Sequence, residues 1–338
     1  MSNATPSRLG QIQGAGAVDA LFLMKYAGEV LTAYEQAKKL KPTVRVRTVS
    51  GQKSAQFPAV FTTEAEYHVP GAEIVGAPIQ HNEIIVTIDD LLIAHTFVAM
   101  IDELKNHYDV RSPYSTEQGR ALALLEDRTI AQNIILAARG GELFTGDGGG
   151  SSVVQADVGG TADFDASGSD LLDAVNLGKQ ALDEKDVPVD VMPVYAAFKP
   201  AQWYLMARSD KNLNRDFGGQ STVGNQVLRT VSDVQIFKSN ALMFGKDVTP
   251  FNAGTNADGV VGAVGSKIPA AFPAKYHADL TNTRGAVWVE PAVAYLQLLG
   301  LTTEAPWDAR RQGTLLLAKM AIGMGKLRSK CAVEIKTA

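Results

Sequence analysis

One cysteine in 338 residues, Cys331, has no partner for an intrachain disulfide, so oxidation does not staple this fold. The residue reads as a small hydrophobe near the end of a strand. The P-loop, dinucleotide-binding, serine-hydrolase and zinc-protease signatures are all missing, and no Cys/His group has zinc-ligand spacing. Five histidines, His68, His81, His95, His107 and His277, are scattered without a shared pattern. Adjacent acids such as Asp89-Asp90 and Glu126-Asp127 point in different directions on a strand or helix and need no catalytic role. A basic excess is lacking too: 32 Lys and Arg stand against 36 Asp and Glu, a formal charge of −4. That balance argues against a protein whose main task is gripping nucleic-acid phosphates. Nor is there a long hydrophobic run. The apolar stretch Ala17 to Met24 is interrupted by Asp19 and followed by Lys25 and Glu29, so it reads as neither a signal peptide nor a membrane span.

What the chain does have is apolar material, 46% of its residues, enough for a large core divided over about two domains. The stretch Asn106 to Arg139 reads as one long helix. Ser115 is expected as its N-cap, with Gln118 completing a capping box, and Ser112-Pro113 offers an alternative start one turn earlier. From Ser115 to Ala138 the rod would be ~36 Å long. Its apolar residues form no clean stripe. A helix apolar nearly all round is buried from several directions, either at the centre of a large core or clamped between its own sheet and a neighbouring subunit.

Residues 1 to 15 are polar and read as a loose arm, followed by a helix from Val18 to Leu40. Val44-Arg45-Val46-Arg47-Thr48 alternates strictly, Val49 to Gln52 supplies a turn, and Lys53 to Phe57 returns before Pro58. The pattern predicts a hairpin with one apolar and one cationic face, too small to bury its apolar side alone. Glu66 to Glu73 reads as a turn and Glu83 to Asp89 as a strand leading into the apolar segment Leu91 to Leu104. Residues 140 to 168 hold nine glycines and read as a flexible domain boundary. Beyond them the pattern is mixed: a helix over Asp170–Leu182, a strand at Met192–Phe198, a helix opening at Pro200, strands near Val234–Phe237 and Ala286–Glu290, loops over 245–272, and long terminal strands over Thr314–Met324 and Lys330–Lys336. Asp163 to Asp170 copies the opening of a calcium loop. Ala174 stands where its bidentate carboxylate belongs, so it reads instead as a polar linker whose Ser169 or Asp170 caps the next helix.

An ordered set of short words carries a resemblance. Ala20-Leu21-Phe22-Leu23 and Gly28-Glu29-Val30-Leu31-Thr32-Ala33 lie on the arm, Ser54-Ala55-Gln56-Phe57-Pro58 in the hairpin, then Pro70-Gly71, Val86-Thr87-Ile88-Asp89 and Leu91-Leu92. Asn106-His107-Tyr108-Asp109-Val110-Arg111-Ser112 precedes the long helix and Ala309-Arg310-Arg311 lies near the end. In these words the chain resembles the major capsid proteins of short-tailed, T-seven-like double-stranded DNA phages. Residues 141 to 285 resemble them only in their α/β pattern and loops.

The resemblance implies an α+β chain with the Hong Kong phage capsid fold. Its parts would be an N-terminal arm (1–42), an extended hairpin loop (43–90), a peripheral domain with the long spine helix (91–164 and 301–325) and an axial α/β domain (165–300 and 326–338). It further implies a structural, non-catalytic protein that self-assembles into hexamers and pentamers of an icosahedral head enclosing double-stranded DNA, in the cytoplasm of a bacterial host. No cofactor or metal is implied; a separate scaffolding protein and a portal are. The inter-subunit contacts are assigned to the hairpin residues Val44, Arg45, Val46, Arg47, Val49, Lys53 and Phe57. Two other readings stand beside it: a soluble two-domain enzyme with an unrecognised site, and a DNA-coating protein with a basic face.

Overall fold

A computed structural model describes residues 20–63, 65–71, 73, 74, 76, 78–101, 111–209, 230–251, 260–262 and 268–337, without the side chains of 20–25 and 111. The loose arm over 1–15 and the words from Asn106 to Val110 lie outside the described residues.

In chain order, the arm helix Ala20–Ala37 is followed by β1 (Arg45–Thr48), β2 (Ser54–Val60), β3 (His81–Thr87), β4 (Leu92–Ala99) and the spine helix Arg111–Ala138. Next come β5 (Ser151–Val154), the helices Gln155–Val158 and Gly168–Asp183, β6 (Val194–Phe198) and the helix Pro200–Ala207. Then β7 (Thr230–Val231), β8 (Val234–Lys238), β9 (Asp247–Val248), β10 (Ala278–Asp279) and β11 (Thr283–Val289) follow. The chain returns through β12 (Val293–Glu304), β13 (Trp307–Asp308), β14 (Gly313–Lys326) and β15 (Ala332–Lys336). Two compact units result, one of residues 1–38, 90–126 and 298–322, the other of 39–89, 127–297 and 323–338.

In the first unit the arm helix packs on the opening half of the spine. Gly119 makes this possible, because a Cβ there would lie 2.4 Å from the Val30 carbonyl oxygen. Tyr26, Val30 and Tyr34 are buried. The Tyr26 hydroxyl donates to Gln118, the Tyr34 hydroxyl donates to Glu126, and the Ser115 hydroxyl donates to Glu29 at 2.7 Å. Ser115 is therefore not the N-cap and Gln118 closes no capping box. The helix is already under way at Arg111, and both side chains are turned to the arm instead. The arm helix thus finds its surface in its own chain.

The second unit is built on a six-stranded sheet in the order β5-β15-β11-β6-β8-β7. Its central strands are apolar without alternation, Val194 to Phe198 and Ala286 to Val289, as strands covered on both faces must be. The helix Gly168–Asp183 buries Leu171, Leu172, Val175 and Leu182, and Gly178 brings it close to Val287 of β11. Ser167, not Ser169 or Asp170, accepts from the Asp170 N–H as the N-cap.

From Glu126 to Ile135 every spine residue is buried, which explains the absence of a stripe. Polar members of this run are used as fasteners. The Asp127 carboxylate accepts from the N–H groups of Lys39 and Leu40 at 3.0–3.2 Å, and Arg128 donates to the Ala241 carbonyl at 3.2 Å. The spine is enclosed by its own chain here.

The glycine-rich connection is tied down within the second unit. Both its ends lie in the second unit, and β5 pairs with β15 in parallel over Ser151–Val154. Lys330 and Asp147 form an ion pair at 2.7 Å, both largely buried, and Lys185 donates to the Gly149 carbonyl at 2.6 Å. Gly150 is required by proximity rather than by freedom, because a Cβ would stand 2.1 Å from the Ala138 carbonyl oxygen. Gly150→Ala is therefore expected to destabilise the chain by about 1–3 kcal/mol through forced backbone shifts. A thermal or denaturant melt checks this. Hydrogen exchange in β5 should be slow, as befits a paired strand.

Candidate assembly surface

The residues assigned from sequence to one hairpin belong to two different structures. β1 does not pair with β2. It lies parallel to β12, Arg45 opposite Ala294 through Thr48 opposite Gln297, while β2 pairs antiparallel with β3 over Ser54–Thr87 to Val60–His81. The strict alternation of Val44 to Thr48 suits an edge strand equally well, which is why the local pattern misled.

Three of the expected contact residues are internal. Val44, Val49 and Phe57 are buried in this chain, Val49 and Phe57 in a cluster with Ala55, Val86, Leu296 and Leu327. Val49 and Phe57 hold the β2–β3 ribbon to its own body. Arg45, Val46 and Arg47 are exposed along β1. Lys53 is exposed at the start of β2, its carbonyl accepting from the Ile88 N–H at 2.9 Å.

Ala55, Phe57 and Ala59 point inward from β2 and alternate with outward Gln56, Pro58 and Val60. The far end of the ribbon is anchored by Phe61 against Phe144, centroids 5.2 Å apart, and by Asn82 donating to the Leu143 carbonyl at 3.1 Å. At its base Asp89 accepts from the buried Tyr276 hydroxyl and pairs with Lys275 at 2.6 Å. Burial and the neighbouring Asp89 carboxylate push the Tyr276 phenol well above its ordinary range. The ribbon is fixed at both ends.

Beyond it the twenty residues 61–80 carry no Lys or Arg and three glutamates, Glu64, Glu66 and Glu73. Tyr67 is fully exposed, and Val69 and Ile74 are 68% and 74% exposed. None of the described residues of this stretch is helix or strand, and loops this long are uncommon in compact domains unless they bind something. The local sequence pattern predicts only a turn here, over Glu66 to Glu73. The signal beyond it is a long stretch without basic residues whose apolar side chains fit neither a helical nor a strand period.

Among the described residues β1 ends its sheet, with β12 on one side only. Between β1 and the ribbon lies a groove of about 350 Å³, lined by Phe57, Ile84 and Leu327 and by three arginines, Arg45, Arg47 and Arg328. Arg47 lies over the Phe57 ring at 5.5 Å and donates to the Gln56 carbonyl at 3.0 Å. Arg328, in the loop after β14, could not be linked to β1 by any sequence period.

The first unit has a second uncovered surface. β4 pairs antiparallel with β14 and alternates buried Val98 with exposed Ile93 and Phe97, whose cross-strand partners are Lys319 and Leu315. Met100, Ile101 and Trp307 are exposed as well.

No cluster of three or more His, Cys, Asp or Glu side chains suited to a metal ion occurs among the described residues. The carboxylates of the calcium-like stretch are engaged within the chain. Asp165 takes a bidentate contact from Arg284 at 2.7 and 2.9 Å, which holds its carboxyl below the usual range, and Asp170 accepts from the Asp163 N–H. Burial pushes the Cys331 thiol up to about 11, so it stays protonated and inert near neutral pH. No helix among the described residues is long and apolar enough to cross a membrane.

A fixed ribbon with a bare apolar loop in the second unit, and an apolar sheet face in the first, are the features of a shell-forming subunit, with surfaces left for other copies to cover. The chain belongs to the Gp10A-like major capsid protein family, which it matches over residues 56–336. It is 29% identical to the major capsid protein of Escherichia phage T7, with 96% of this chain and 95% of that protein covered. Identity to the major capsid protein of Enterobacteria phage T3 is 27%, with 97% and 96% covered. Among solved structures, the capsid of cyanophage P-SCSP1u superposes with a TM-score of 0.72 at 34% identity, covering 100% of this chain and 99% of that one. The mature capsid of bacteriophage PhiM1 shares the fold at a TM-score of 0.69 and 16% identity, over 89% and 87% of the two chains. The fold is thus the α+β Hong Kong phage capsid fold expected from the sequence, and the protein is a structural component of a phage capsid. Nothing in these relatives supports an enzyme.

Proposed function

We propose that this capsid protein closes into an icosahedral head from hexamers and pentamers of itself, around double-stranded DNA, in the cytoplasm of a bacterial host. A scaffolding protein and a portal would guide closure. Residues 1–42 would act as the arm, 43–90 as the extended loop, 91–164 and 301–325 as the peripheral part, and 165–300 and 326–338 as the axial part. The observation that carries this reading is the loop 61–80, whose Tyr67, Val69 and Ile74 stand in solvent beyond a ribbon pinned at both ends. Covered by another copy, these residues join interfaces of the size obligate assemblies use, commonly above ~2,000 Å². Coexpression with the phage's scaffolding protein, followed by sedimentation and electron microscopy, tests it: closed particles are expected, and a monodisperse monomer under those conditions would refute it.

The shells are expected to be held without covalent cross-links. Lys53 is exposed, but an exposed lysine is ordinary, and its backbone already secures the ribbon through Ile88. Boiling shells in detergent and reductant should leave only the single-chain band. A ladder of multimers would overturn this.

A further inference from the structure

Among the described residues, neither Arg45 nor Arg328 has an acidic partner, yet both converge with Arg47 on one concavity with an apolar lining. Three like charges around a partly apolar pit repel one another, and an incoming carboxylate relieves that repulsion while its apolar neighbours fill the space. β1 also presents a free strand edge, so an extended segment laid along it can add main-chain hydrogen bonds.

The chain contains a segment of complementary chemistry. Residues 61–80 carry Glu64, Glu66 and Glu73 with no Lys or Arg, interleaved with Tyr67, Val69 and Ile74. Glu66 and Glu73 are exposed, and apolar side chains are available for the pit. In its own subunit the loop does not occupy the groove, since those apolar side chains are exposed. We propose that the loop 61–80 of a second copy docks in this groove, its glutamates against Arg45, Arg47 and Arg328 and an apolar side chain against Phe57 and Leu327. This rests on the reading of the chain as a self-assembling capsid subunit, and it names the receptor for the loop. Each copy offers one loop and one groove at different places, so the contact is head-to-tail and closes into rings when the rotation allows.

A charge-reversal cycle tests it. One variant carries Arg45→Glu with Arg328→Glu, a second carries Glu66→Lys with Glu73→Lys, and a third carries all four changes. Each half-cycle is expected to lower the yield of closed particles by at least about tenfold at equal subunit concentration, and the fourfold variant should recover most of that loss. All the changes are on exposed or half-exposed side chains, and circular dichroism checks that each subunit is folded. A half-cycle without effect, or a fourfold variant at least as defective as the worse half, overturns the pairing. A disulfide gives an independent readout should a reversed subunit not fold: Arg328→Cys with Glu73→Cys in one chain should yield intersubunit dimers and higher rings on non-reducing gels of oxidised shells. Absence of that ladder also overturns the pairing. Throughout, the unaltered protein must form particles, and its failure to do so would count against the capsid reading rather than against the groove.

Discussion

Replacing residues 62–79 by a short Gly-Ser turn is expected to leave the subunit folded and abolish closed particles. The ribbon stays intact under this change, because the β2–β3 ladder, the buried Ala55, Phe57 and Val86, the Phe61–Phe144 contact and the Asp89–Tyr276 anchor all lie outside the excised stretch. Shortening a loop about fourfold reduces its closure entropy, so the variant should be slightly more stable, by about 1 kcal/mol. What it loses is the surface held by Tyr67, Val69 and Ile74, which makes no contribution to the monomer. Normal particles at normal yield would show that the loop is dispensable. Changing residues 48–54 instead would be a poor test, since Val49 is part of the core beneath the ribbon.

The largest stability effect is expected from Arg139→Ala. Arg139 ends the spine and makes a bidentate pair with Glu334 of β15, at 2.7 and 2.6 Å, while also donating to the Asp279 carbonyl at 2.7 Å. Glu334 is fully buried and takes a further hydrogen bond from Thr283. Removing the guanidinium leaves a buried carboxylate without its counter-charge, a loss of about 3–5 kcal/mol. A second change, Glu334→Leu, should recover much of it, because an apolar side chain at that place has no charge to desolvate. Denaturant melts of the single and double variants decide the matter. A single variant within 1 kcal/mol of the parent would show that water reaches Glu334.

Much of the fold was legible wherever a single period dominates over many residues. The arm helix, the helix after Pro200 and the long terminal strands follow from their apolar residues within a few positions, and the spine, which has no apolar stripe, from its long run of helix-compatible residues. The errors share one cause. Alternation in Val44 to Thr48 specifies a strand but not its partner, and β12 lies roughly 250 residues away in the chain. Gly140 to Gly150 looks flexible in composition, yet Gly149 and Gly150 are there because backbones touch. Ser115 and Gln118 satisfy the capping pattern but are used by Glu29, Tyr26 and the Leu316 carbonyl, none of which is local. The candidate site was half legible for the same reason. Arg45 and Arg47 were found because they sit in a regular pattern, whereas Arg328 and the loop 61–80 join them only through the fold.

The most direct measurement is a cryo-electron microscopy reconstruction of assembled particles, resolved well enough to trace residues 61–80 from one subunit to the next. The expected map shows icosahedral hexamers and pentamers in which each such loop lies across an adjacent copy, with Tyr67, Val69 and Ile74 covered. A map in which the loop folds back on its own subunit, or hangs in solvent while neighbours meet elsewhere, would contradict the central claim that this loop fastens the shell.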